Sequence, residues 1–196
     1  MKIGVSSYSF FRYYKEGKIN DLTFPAKAKE MGFEAIEYAG LTVPEGENEI
    51  EWAKKVRSAC DEAGFQVSNF TIGADFINGS NGDFDAEVER VKHQVDLAEI
   101  IGATGMRHDA TFGFLPEHKG PRTFDYALPT VVKGCRAITE YAATKNIRTM
   151  VENHGFFSQN AERVEKIMAG VNHPNFGWLV DMGNFACADE DSGYAL

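Results

Sequence analysis

The chain has 196 residues, 43% hydrophobic and 25% charged, which suits one domain with a substantial core and is unlike a disordered or fibrous protein. Its formal net charge of −9 is spread along the chain, so its surface repels phosphate backbones and nucleic acid is not an expected partner. Cys60, Cys135 and Cys187 are scattered with no C-x-x-C pair, and no apolar run approaches about 18 residues; a disulfide framework and a membrane span are not expected, and a cytoplasmic protein is.

The opening MKIGVSSYSF enters a β-like run at once, without the pattern of a signal peptide. An aromatic run follows: Tyr8, Phe10, Phe11, Tyr13 and Tyr14. These rings could wall a sugar pocket or pack on one another as a lid. Next comes a phrase that recurs four times, in which a helix ends at Gly or Asn and a short apolar strand begins. It reads AKEMGFEAIEYAG, ACDEAGFQVSNF, AEIIGATGMRHDA and YAATKNIRTMVENHG. Gly32, Gly64, Gly102 and Asn146 stand where a helix must end in the left-handed conformation, which Gly tolerates best and Asn next. Each strand then runs into a polar residue: Glu37, Asn69, Arg107 with His108, or Glu152.

The stretches between are helical. NEIEWAKKVRSACDEAG carries Ile50, Ala53 and Val56 on one face, and FDAEVERVKHQVDLAEIIG carries Phe84, Val88, Val91, Val95 and Ala98. Asn78-Gly79-Ser80 reads as a Gly-rich turn rather than a glycosylated sequon. Ser158 is the expected N-cap of AERVEKIMAG, and FGWLVDMGN supplies a last strand.

Six strands are therefore expected, near residues 2–7, 33–38, 66–71, 104–109, 147–153 and 176–181. Their alternation with helices implies parallel βαβ units, in either a doubly wound sheet or a TIM barrel. The first βα turn, SSYSFFRYYKEGK, holds no G-x-G-x-x-G fingerprint. Polar residues at the ends of several strands favour the barrel, whose functional groups gather at the C-terminal strand ends. The expected fold class is thus α/β, a TIM (β/α)8 barrel, of which this chain supplies about six βα units. Residues 1–196 are read as a single barrel domain lacking its last two units, and two more are expected beyond Leu196. Taken alone, such a chain is expected to self-associate through uncovered edges and apolar faces.

Within RTMVENHGFF, Met150, Glu152 and His154 share one face of the strand, and Thr149, Val151 and Asn153 the other. Leu179 and Asp181 share a face of the last strand. Glu152 and Asp181 thus end neighbouring strands, with Arg107 and His108 on the strand before and His154 just past Glu152. Carboxylates and imidazoles gathered at one barrel mouth suit a divalent metal, which would offset the cost of burying charge. The alternative for Glu152 is an ion pair with an Arg or Lys. For Asp181 it is a turn-starting Asp ahead of Met182-Gly183-Asn184. His108 and His154 could equally be held by hydrogen bonds of the fold. The chain contains no G-x-x-x-x-G-K-[ST] loop, H-E-x-x-H helix or G-x-S-x-G elbow.

KIGVSSYSF, MGFEAIEYAG, VENHG and VDMGN together resemble the xylose isomerase-like TIM barrel superfamily of sugar phosphate isomerases, epimerases and endonuclease IV-like proteins. The resemblance implies that Glu152 is a metal ligand and an acid/base carboxylate, and that Asp181 is a second ligand. It implies a substrate contact from His108, a position that binds metal in the nuclease; Arg107 and His154 are expected substrate contacts from their own chemistry at the strand ends. Asn184, placed with the substrate contacts, stands where several members carry a His that the nuclease uses as a zinc ligand, a change that argues against three-zinc chemistry and leaves the detail of sugar binding open. The remaining ligands and the second catalytic carboxylate are expected beyond Leu196.

The implied activity is a divalent-metal-dependent (Mn, Mg, Co or Zn) isomerase or epimerase of a keto sugar or related polyol. A dehydratase or lyase on a keto-inositol or keto-glycoside, or a non-catalytic sugar-binding barrel with a decayed metal site, are the alternatives. The implied partner is a small sugar or polyol, with neither nucleic acid nor membrane; a homo-oligomer is compatible with this reading.

Overall fold

A computed structural model describes residues 2–195. All six expected strands form: β1 Gly4–Ser6, β2 Ala35–Ala39, β3 Val67–Ile72, β4 Gly105–His108, β5 Arg148–Glu152 and β6 Phe176–Leu179. They make one sheet in the order β1-β2-β3-β4-β5-β6. β1 pairs parallel with β2, β2 with β3, and β5 with β6. The order decides between the two architectures left open above. A doubly wound sheet reverses its strand order at a switch point, whereas this sheet advances one strand at a time, as a (β/α) barrel does. The fold is of the TIM-barrel type, and the chain supplies six βα units.

The expected helix stops hold. Gly32, Gly64, Gly102 and Asn146 have φ of 86°, 74°, 75° and 58°. Gly102 has a second reason to lack a side chain, since a Cβ there would meet the Arg57 guanidinium at 1.5 Å.

The chain forms two compact units. The first comprises residues up to Ile72 with Asp96–Met106, and the second Gly73–Val95 with Arg107 onward. In the first, Phe24, Ile36, Tyr38 and Phe70 are fully buried, and the Phe24 ring meets Phe10 and Tyr38 edge-on at 5.6 and 5.3 Å. Its helix Glu49–Ala63 buries Trp52, Ala53, Val56 and Cys60, while Ile50 remains 42% exposed. The Trp52 indole N–H is anchored on Asp21 Oδ2 at 2.8 Å, which turns the Trp52 face inward and leaves Ile50 outside.

In the second unit the helix Phe124–Ala143 buries Val131, Cys135 and Ile138. It admits the Phe76 ring at Gly134, where a Cβ would lie 2.3 Å from Phe76 Cγ. The next helix, Ala161–Val171, is capped by Asn160 and not by Ser158. Asn160 Oδ1 accepts from the Arg163 amide at 3.0 Å because it directly precedes the first helical residue, whereas Ser158 lies two residues earlier and is buried. Among the described residues, no helix is long and apolar enough to cross a membrane.

Candidate active site in the second unit

Strand alternation builds the site. Thr149 and Val151 of β5 are buried, and Thr149 Oγ1 meets Thr139 Oγ1 of the helix Phe124–Ala143 at 2.8 Å. Met150 and Glu152 therefore project from the opposite face, and Glu152 keeps 14% side-chain exposure. The next residue, Asn153, splints β5 to the segment after β6. Its Nδ2 donates to the Asp181 carbonyl at 2.7 Å, and its Oδ1 accepts from the Asp181 amide at 2.8 Å and from Trp178 Nε1 at 3.2 Å. Asn153 is fully buried, so these bonds hold Asp181 near Glu152 without competition from water.

Arg107 is the hub of the charged groups. Its Nε lies 2.6 Å from Glu152 Oε2, a charge contact without hydrogen-bond alignment. Its Nη2 lies 2.9 Å from Asp109 Oδ1, and its Nη1 donates to Asp109 Oδ2 at 3.3 Å. His154 Nδ1 meets the same Asp109 Oδ1 at 2.9 Å. Asn184 Nδ2 donates to Glu152 Oε1 at 3.2 Å, and Asp181 Oδ1 accepts from the amides of Gly183 and Asn184 at 2.8 and 3.1 Å. Both alternatives weighed from the sequence are thus present as geometry: Glu152 has an arginine, and Asp181 starts a turn.

Burial pushes the Glu152 carboxyl above its ordinary range. Arg107 and His154 oppose that rise, and the charges of Asp181 and Asp109 add to it.

His108 lies elsewhere, which corrects its expected place beside Arg107 at the mouth. Successive strand residues face opposite sides, so with Arg107 on the Glu152 side, His108 enters the core. It is 0% exposed, with its ring 6.0 Å from Phe76 and 6.4 Å from Phe176. Its Nδ1 donates to the Asp109 carbonyl at 2.7 Å, Nε2 has no partner, and burial lowers its pKa, so the ring is neutral. Of the six expected site residues, Glu152, Asp181, Arg107, His154 and Asn184 come together and His108 does not. Asp109 and Asn153 join them unforeseen. Each directly follows an expected residue, in RHD and ENH, but nothing in the sequence says which polar partner it meets.

Asp109 and Glu152 share the Arg107 guanidinium, and Asp181 adds a third carboxylate near Glu152, so negative charge is in surplus at the site. That surplus and the all-oxygen carboxylate donors fit a hard divalent cation, which often takes only one or two protein carboxylates and keeps water elsewhere. Among the described residues, no group of three or more His, Cys, Asp or Glu is arranged to hold a metal.

The sequence profile described as "Xylose isomerase-like TIM barrel" matches residues 25–195. No curated protein matches the chain. Among the solved structures that share its fold are three enzymes. A 3-keto-D-glucoside 4-epimerase from E. coli, YcjR, has a TM-score of 0.74 at 19% identity, covering 100% of this chain and 74% of its own. A D-psicose 3-epimerase has a TM-score of 0.76 at 17% identity, covering 100% and 68%. A probable 3-DHS dehydratase from Bacillus anthracis, AsbF, has a TM-score of 0.74 at 19% identity, again covering 100% and 68%.

Proposed function

The chain belongs to the xylose isomerase-like TIM barrel family, and from that premise we propose a divalent-metal-dependent isomerase or epimerase of a keto sugar or related polyol. The observation that carries the reading is Glu152, a carboxylate destabilised by burial, placed near Asp181 and held by Arg107. A divalent cation held by Glu152 and Asp181 would supply electrostatic stabilisation for negative charge developing on substrate oxygen.

The chain's own residues perform the rest. Glu152 takes the proton from the carbon beside the substrate carbonyl, and the electron pair of that C–H bond moves toward the carbonyl oxygen. Arg107, held by Asp109, restrains one Glu152 oxygen, and the Asn184 amide donates to the other. His154 and Asn184 are the polar groups available to substrate hydroxyls. Return of a proton to the same carbon from the opposite face completes epimerisation, and a second carboxylate on that face would return it. Return of the proton to the former carbonyl carbon, with a proton passing from the neighbouring hydroxyl to the former carbonyl oxygen, completes isomerisation.

Solvent exchange tests this. The full natural chain, turning over a keto sugar in heavy water, should place deuterium on the carbon beside the carbonyl, and Glu152→Gln should abolish both exchange and turnover. Turnover and exchange that survive in Glu152→Gln would overturn the reading. A dehydratase shares the first proton abstraction, and the structural likeness to AsbF is as good as that to YcjR. Loss of water from the product would identify that second reading.

A further inference from the structure

We propose that Asp109 is the positioning residue of this site, setting the tautomer of His154 and the reach of Arg107 toward Glu152. The proposal rests on the isomerase or epimerase reading for the reaction it serves, and on geometry alone for the contacts.

Asp109 follows β4 and is 7% exposed. A carboxylate buried to that degree is stable only when paired and hydrogen-bonded. Both of its oxygens engage Arg107, and Oδ1 also meets His154 Nδ1. A carboxylate can only accept, so the His154 proton must sit on Nδ1. In the neutral ring, Nε2 is then left as an acceptor for a substrate hydroxyl. The Phe112 ring, edge-on at 6.1 Å, braces the imidazole from another side, while 42% of the side chain stays exposed. One carboxylate and one aromatic ring thus orient a histidine that solvent can still reach.

The same carboxylate limits Arg107. The guanidinium is a rigid planar fork, and with Nη1 and Nη2 on Asp109 only Nε faces Glu152. Without the Asp109 charge, the fork is free to turn and grip both Glu152 oxygens. That grip would hold Glu152 as a tightly paired anion and weaken it as a base. Asp109 therefore acts on the reaction without touching substrate, through two side chains at once.

The test uses the full natural chain with Asp109→Asn, and reads the histidine ring and catalysis separately. Proton–nitrogen NMR at about pH 8, where an ordinary imidazole is neutral, should show His154 carrying its proton on Nδ1. The signal is assigned by its disappearance in His154→Gln. Asp109→Asn should abolish the single Nδ1–H form and lower kcat by about 10- to 100-fold, the usual effect of removing a carboxylate that orients an active-site side chain. KM should rise by less than kcat falls, because Asp109 itself touches no substrate and the one contact weakened is that of His154 Nε2 with a substrate hydroxyl. His154 protonated on Nε2 in the unaltered protein would overturn the proposal, as would a ring signal and kcat unchanged in Asp109→Asn. Should Asp109→Asn fail to fold, the tautomer in the unaltered protein still decides. Absence of any keto-sugar turnover would defeat the functional reading, while the NMR comparison would still judge Asp109.

Discussion

The two units treat their strand glutamates and buried carboxylates in opposite ways. In the first, Glu37 stands at the middle of β2, whereas Glu152 ends β5. The partner of Glu37 is an amide: Asn69 Nδ2 donates to Glu37 Oε2 at 2.6 Å and to Thr71 Oγ1 at 3.1 Å. Asp21, 1% exposed, is likewise held by neutral donors, the Thr42 amide at 2.7 Å and the Trp52 indole at 2.8 Å. The second unit supplies guanidinium instead. Arg107 bridges Glu152 and Asp109, and Arg90 clasps the buried Glu87 with Nε and Nη2 at 2.9 and 2.7 Å. Neutral donors satisfy a carboxylate in place, whereas a shared arginine makes its charge depend on its neighbours.

The largest expected effect separates the two strand glutamates, Glu37 and Glu152. In the full natural chain, Glu152→Gln should lower turnover of a keto sugar by about 10³-fold, within the range for a lost general base, whereas Glu37→Gln should change it by less than about tenfold. Equal losses in steady-state assays would erase the functional distinction between the units.

Next comes the partner swap. Arg107→Met leaves Glu152 and Asp109 facing each other without a cation and should cost about 3 kcal/mol in denaturant unfolding. Asn69→Ala removes a neutral donor from Glu37 and should cost about 1 kcal/mol. A smaller loss for Arg107→Met than for Asn69→Ala would reverse the comparison.

The smallest effect, and the sharpest in sign, is the pH dependence of two buried carboxylates. Burial raises the Asp21 pKa, with Trp52 and Thr42 offsetting part of the rise. Its contribution to stability is complete below the unfolded-state pKa and fades as pH rises through the folded value. For Glu87, burial is the largest influence and acts upward. It is outweighed by Arg90, the Asp75 amide and the Ser80 hydroxyl, so the pKa falls. Its contribution is present above the unfolded-state pKa and is lost as pH falls through the folded value. Melting temperatures taken from about pH 3 to 8 should therefore show Asp21→Asn gaining on the parent protein as pH rises. Glu87→Gln should gain on it as pH falls. Slopes of the same sign in the two variants would show that the two carboxylates are handled alike.

Local signals in the sequence were enough for the strands, the helix stops and the faces of β5. The sign of φ at Gly32, Gly64, Gly102 and Asn146 is a property of single residues, and the two-residue period of Thr149, Val151 and Asn153 is a property of one strand. Glu152 could be placed at the end of β5, and Asp181 just past the neighbouring β6, because the βα repeat sets their order. Which partner each group meets could not be read in this way. It depends on the register between strands and on which of two adjacent residues takes the inner face. Hence Arg107 enters the site and His108 the core, Asn160 rather than Ser158 caps its helix, and Asp109 and Asn153 emerge as the groups that hold the others. Where polar groups fall along each strand is local and periodic, and is legible residue by residue; which cation, amide or imidazole answers each carboxylate is settled by folding, because those contacts join residues as far apart as Arg107 and Glu152.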